Sequence, residues 1–118
     1  MGMIYKICPR ETWESAANVG EFLGAAIDLA DGFIHFSAGH QVRETAHKHF
    51  AGQQDLVLVA VDPQSLGSAL RWEASRGGDN FPHLYGPLTM DAVRSVISLP
   101  VDAAGEHVFP EDLDEKSD

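Results

Sequence analysis

Gly32-Phe33-Ile34-His35-Phe36-Ser37 sets an imidazole and a hydroxyl two residues apart, and Phe81-Pro82-His83-Leu84-Tyr85-Gly86 sets an imidazole and a phenol at the same spacing. Successive side chains of a strand point to opposite faces, so Phe33, His35 and Ser37 would share one face, with Ile34 and Phe36 on the other. His83 and Tyr85 would likewise share a face. A neutral imidazole accepts a proton near pH 7, which makes His35 and His83 candidates for general acid-base work. Two such pairs raised on short strands suggest one concave site.

Other chemistries are less well served. A nucleophilic Ser37 with His35 or His83 as base lacks the G-x-S-x-G elbow and any carboxylate obviously placed to orient the histidine. Ser37 also fits the N-cap of a helix running to about Phe50, where its hydroxyl would accept from exposed backbone N–H groups. In that helix His40, Glu44 and His47 would fall on one face, and all three types ligate zinc. They lie opposite the apolar stripe of Val42, Ala46 and Phe50, and a solvated polar face needs no ligand. With neither HExxH nor a CxxC pair in the chain, no metal is expected. Gly77-Gly78 lacks the spacing of a P-loop or a dinucleotide fingerprint.

The elements that must hold these residues follow from the pattern of the chain. Met3 to Cys8 reads as a strand, followed by Pro9 at a first helical position and a short helix containing Trp13. Glu21 to Ala30 fits helix or loop, ending at the Asp31-Gly32 turn. Leu56-Val57-Leu58-Val59-Ala60-Val61, apolar on both faces, is the best candidate for a central strand, and Pro63 to Gly67 turns the chain after it. Ala69 to Glu73 alternates, with Leu70 and Trp72 facing one way and Arg71 and Glu73 the other, as a surface ion pair or as part of a polar cleft. Ser75 to Asn80 reads as a flexible loop, Thr89 to Ala92 as a helical turn and Val93 to Leu99 as a last strand. Many short strands with one main helix and shorter flanking ones give an α+β class, with helices on mainly antiparallel sheets.

A chain of 118 residues suits a single domain, expected over residues 1–110. The net charge is −10, of which the acidic stretch 111–118 carries −4 and is expected to be a solvated, disordered tail. An acidic body opposes extended nucleic acid as a partner. A local patch of Lys6, Arg43, Arg71 and Arg76 would still admit a small anionic ligand. No apolar run is long enough to span a bilayer, the first residues do not read as a signal peptide, and the one cysteine, Cys8, agrees with a reducing compartment. A cytoplasmic location is expected.

The strand IYKI, GFIHFS followed by Gln41, LRWE, and above all FPHLYGPL resemble a family of short bacterial proteins classed as a domain of unknown function, the one numbered 952. The resemblance runs from Ile4 to about Leu99. It implies an ADP-ribosyltransferase-like fold, two small sheets around a cleft that in active relatives holds NAD. Those relatives take one polar residue from the first strand, a Ser, Thr or Tyr from a second and a Glu from a later one. Carried onto this chain, the first is Tyr5 or Lys6 and the second His35 or Ser37. The third falls in FPHLYG, which offers His83 or Tyr85 instead of Glu, with Glu73 as a carboxylate on the neighbouring strand. The resemblance thus implies His35, His83 and Glu73 as catalytic groups, and Tyr5, Lys6, Ser37, Arg71 and Tyr85 as contacts to NAD, which would be a substrate. The missing Glu at the third position favours the alternative, a non-catalytic ligand-binding or interaction module on the same fold.

Overall fold

In the computed structural model, which describes residues 2–75, 78–111 and 113, the chain runs β1 (Ile4–Pro9), α1 (Arg10–Val19), β2 (Glu21–Phe22), α2 (Ala26–Asp31), β3 (Ile34–His35), β4 (Ser37–Ala38), α3 (Val42–His49), β5 (Leu56–Val61), β6 (Leu70–Ala74), β7 (Asn80–Leu84), β8 (Leu88–Thr89) and β9 (Val93–Leu99). Turns of 3-10 helix cover Pro63–Ala69 and Met90–Ala92. All strand pairs are antiparallel: a four-stranded sheet β4-β1-β5-β9, a three-stranded sheet β3-β7-β6, and the short pair β2-β8. The class is α+β, with small antiparallel sheets and few helices.

β5 explains the layering. Each of its six residues is buried, because alternation sends Val57, Val59 and Val61 into one apolar layer and Leu56, Leu58 and Ala60 into the other. The first layer also takes Ile4 and Cys8 of β1, Trp13 of α1, and Ile34, Phe36 and Leu84 from the three-stranded sheet region. The second takes Tyr5 and Ile7 of β1, Val42 and Ala46 of α3, and Leu99 and Leu113. Lys6 therefore stands between Ile4 and Cys8 on a strand face that is otherwise apolar. Burial pushes the Cys8 thiol up to about 11, so it is not a thiolate at neutral pH.

Several sequence expectations are corrected here. GFIHFS is not one strand: Phe36 N–H still donates to Pro82 C=O at 3.0 Å, and the next residue, Ser37, has already crossed to pair with Tyr5 of the other sheet. The alternation breaks at that crossing, so Ser37 does not share a face with His35. Nor does Ser37 cap α3, which begins at Val42 after Gln41. The Ser37 hydroxyl instead meets Thr45 Oγ1 at 2.8 Å, and the Gln41 amide oxygen accepts from Ala38 N–H at 2.9 Å. Pro9 closes β1 rather than opening α1, and Glu21 to Ala30 splits into β2 and α2.

Among the described residues, Lys6, Arg43 and Arg71 of the expected basic patch do not come together. Lys6 is buried, Arg43 lies over the Phe109 ring, Arg71 lies over Tyr85, and Arg76 is outside the described residues, as is Gly77 of the glycine pair. His40, Glu44 and His47 are all exposed but not gathered, since His40 precedes α3, Glu44 pairs with Lys48 and His47 faces Glu106. Within the acidic stretch, Leu113 is buried against the second layer, while Asp112 and 114–118 lie outside the described residues. Among the described residues no helix is long and apolar enough to cross a membrane.

The layer assignment sets relative costs. Leu58→Ala should lose about 2–5 kcal/mol in urea unfolding through the cavity it leaves, whereas Val19→Ala, at a residue 78% exposed, should change stability by under about 0.5 kcal/mol. Equal losses would contradict the layering.

Candidate functional site

The register of the three-stranded sheet builds a row of polar side chains. His35 of β3 and Arg71 of β6 both stand opposite His83 of the middle strand β7, so the three line up across the sheet on one face. Ile34, Leu84 and Leu70 form the parallel row that serves the core. Residues two further along fall on the same face: Glu73 beyond Arg71, and Tyr85 beyond His83.

These groups interlock through one carboxylate oxygen. Glu73 Oε1 accepts from Tyr85 OH at 2.7 Å and lies 2.8 Å from His83 Nδ1. The Tyr85 hydroxyl, then His83, hold the Glu73 carboxyl below its ordinary value, and the same hydrogen bond raises the Tyr85 phenol. Arg71 covers the Tyr85 ring at 5.2 Å. Phe33 packs against the cluster, its ring centroid 4.2 Å from His83, 4.6 Å from His35 and 5.2 Å from Tyr85. Here lies a patch of aromatic faces with an ionised carboxylate, a guanidinium and two imidazoles along its edge.

On the other side of His35 stands Asp28, a residue that the motifs did not bring forward. Its side chain is fully buried and accepts from Lys6 Nζ at 2.7 Å, Ala25 N–H at 2.7 Å and His35 N–H at 3.0 Å, with His35 Nδ1 2.6 Å away. Ionised carboxylate oxygens offer about four lone-pair sites, so this set is complete. Burial alone would raise the Asp28 carboxyl, but the His35 hydrogen bond, the Lys6 charge and the Ala25 N–H together hold it at about 2. Burial pulls Lys6 below its ordinary value, and Asp28 opposes that pull. Gly24 is required beside this carboxylate, because a Cβ there would come 2.7 Å from Asp28 Cβ and the backbone φ is +125°. The signal that could have found Asp28 is Lys6 itself, a charge alternating with Ile4 and Cys8 that demands a buried partner.

Of the residues singled out from sequence, the fold brings His35, His83, Glu73, Arg71 and Tyr85 together, and links Lys6 to His35 through Asp28. It leaves out Tyr5, buried in the second layer, and Ser37, which meets α3. A cavity of about 220 Å³ lies elsewhere, lined by Arg43, Ala46, His47, Glu106, His107 and Phe109 among others. It contains none of the clustered groups, so the His35–Glu73 face is the candidate site.

Residues 7–96 match the family described as protein of unknown function (DUF952). The chain belongs to this family. Among solved structures, the crystal structure of protein CC0527 from Caulobacter crescentus is 54% identical, with a TM-score of 0.86 over 90% of this chain and 93% of that one. The solution NMR structure of CC0527 is 55% identical, with a TM-score of 0.81 over 90% and 91% of the two chains. No curated protein matches the chain. The α+β arrangement described here is therefore shared with CC0527, solved in crystal and in solution.

The buried carboxylate gives the fold an acid limit. The Asp28 carboxyl, held near 2 in the folded chain against 3.8 ordinarily, contributes its full stability above about pH 4 and loses it as pH falls through 2, a change of about 2 kcal/mol. Thermal midpoints measured from pH 6 to pH 2 should fall most steeply below pH 4. The paired variant Lys6→Met/Asp28→Asn should flatten that part of the curve, and an unchanged slope would contradict the assignment.

Proposed function

We propose that the two sheets form an ADP-ribosyltransferase-like framework and that the face carrying Phe33, His35, His83, Tyr85, Glu73 and Arg71 binds NAD as a substrate for ADP-ribosyl transfer. The observation that carries this reading is the ionised Glu73 held by Tyr85 and His83 at the edge of an aromatic patch. Aromatic faces take up a planar nicotinamide or adenine ring, and stacking of this kind contributes roughly 1–3 kcal/mol per ring. Arg71 offers a guanidinium to the diphosphate. As the bond from the anomeric carbon to nicotinamide breaks, nicotinamide leaves with the bonding pair and positive charge develops on the ribose. Glu73 stabilises that charge. An acceptor O–H then adds to the anomeric carbon and gives its proton to His35. The single cysteine, buried as a free thiol, suits work in the cytoplasm.

A binding-only reading rests on the same cluster, because Glu73 Oε1 is already taken by two donors. The two readings differ in product. Titration with NAD, ADP-ribose and nicotinamide, followed by thermal shift and amide NMR, should stabilise the protein and move the Phe33, His83 and Tyr85 signals. Tyr85→Ala should weaken binding roughly 5- to 150-fold. Transfer predicts nicotinamide release that Glu73→Gln lowers roughly 100-fold and that His40→Ala leaves intact. Binding without release selects the module reading. No shift at millimolar NAD, ADP-ribose or nicotinamide overturns both.

A further inference from the structure

His35 is gripped by two carboxylates of unequal freedom. Its Nδ1 lies 2.6 Å from Asp28 Oδ1, and its Nε2 lies 3.0 Å from Asp31 Oδ2. Asp28 and Asp31 stand three residues apart on α2, a spacing that sets both on one face of a helical turn, here toward β3. The Asp28 side chain has no exposed surface, while that of Asp31 is 46% exposed. Lys6 Nζ, Ala25 N–H and His35 N–H hold Asp28 in place from three other directions. Turning it away from the imidazole would break all of them inside the protein. Asp31 can swing into water at little cost. His83, edge-on at 5.6 Å between ring centroids, and Phe33 at 4.6 Å complete the surroundings of the ring.

From this asymmetry we infer that Asp28 is the positioning residue of the site: it keeps a proton on His35 Nδ1 and so makes Nε2 the atom that gives and takes protons, with Asp31 as its displaceable partner. The ion pair with Lys6 maintains Asp28 as a carboxylate without any group from solvent. A doubly protonated ring donates Nδ1–H to Asp28 and pairs by charge with Asp31. When it loses a proton, the one on Nδ1 stays, because its removal would set a lone pair against a buried carboxylate oxygen, whereas the Nε2 lone pair faces a side chain free to leave. This is the logic by which a buried acid fixes a histidine tautomer, reached through a carboxylate that is also the cap of a short helix. The inference deepens the proposed reaction by naming the proton-transferring atom, but it concerns the free protein and is testable without NAD.

The test is nitrogen-resolved NMR of the imidazoles in the uniformly labelled full chain, with no ligand, followed as the pH is raised from acid to alkaline. The expected result is that Nε2 loses its proton while Nδ1 keeps it, giving a single Nδ1–H form at high pH. Asp31→Asn should leave this form unchanged. Lys6→Met/Asp28→Leu, which removes the acceptor without stranding a buried cation, should shift His35 to the Nε2–H form or to a mixture. An Nε2–H form or a mixture in the unaltered chain would overturn the assignment, whether or not the double variant folds. A fixed Nδ1–H in a protein that binds no NAD leaves Asp28 in its role and removes the NAD reading. An Nε2–H form in a protein that releases nicotinamide does the reverse.

Discussion

Lys6 sits on a strand face that otherwise holds Ile4 and Cys8, and an ammonium in such a layer is tolerated only beside a carboxylate with its remaining lone pairs filled. Asp28 supplies that carboxylate, and its other donors tie the start of α2, the backbone of β3 and the His35 ring to β1. The edge of the three-stranded sheet is thereby fixed against the four-stranded one. A buried ion pair of this type adds little net stability compared with an apolar pair of the same shape, whereas loss of one partner leaves the other stranded at about 3–5 kcal/mol. Its value here is positional. It sets one histidine in one orientation beside the cluster.

The cluster itself is a product of register. Because His35, His83 and Arg71 occupy one cross-strand row and the hairpin between β6 and β7 sets Leu70 against Leu84, the apolar row faces the core and the polar row lies on the opposite face, where His83 is buried among its neighbours. A slip of one residue would exchange the two faces. Glu73 and Tyr85 lie two residues to either side of that row and meet across His83 at the shared oxygen, while Phe33 packs against both imidazoles. Placement of His35, His83, Arg71 and Glu73 on strands gives these groups a rigidity that loops would not provide.

Much of this was legible in the sequence, and the failures have physical causes. β5 declared itself by being apolar on both faces, and the pairs Arg71/Glu73 and His83/Tyr85 declared a shared face by their spacing of two. GFIHFS misled because alternation assumes one continuous strand, and the crossing between sheets at Phe36 is set by pairing with β7 and β1, which no local pattern encodes. The same crossing carried Ser37 to Thr45 and away from His35. Tyr5 lies away from the cluster for the simpler reason that it alternates with Lys6 and so faces the second layer. Asp28 went unseen because its segment, between Gly24 and Gly32, carries no periodicity strong enough to separate helix from loop. Lys6 within IYKIC was the clue, since a charge in an apolar alternation requires a partner from elsewhere in the chain.

The central claim is that the buried Asp28 carboxylate binds α2 and β3 into the folded core. Native-state hydrogen exchange at the Ala25 and His35 amides tests it most directly, since both donate to that side chain and not to a strand partner. The account predicts exchange as slow as that of Val59 in the central strand, released only by global unfolding. Exchange near the rate of an exposed loop amide would show that the carboxylate does not hold these elements, and would contradict the account.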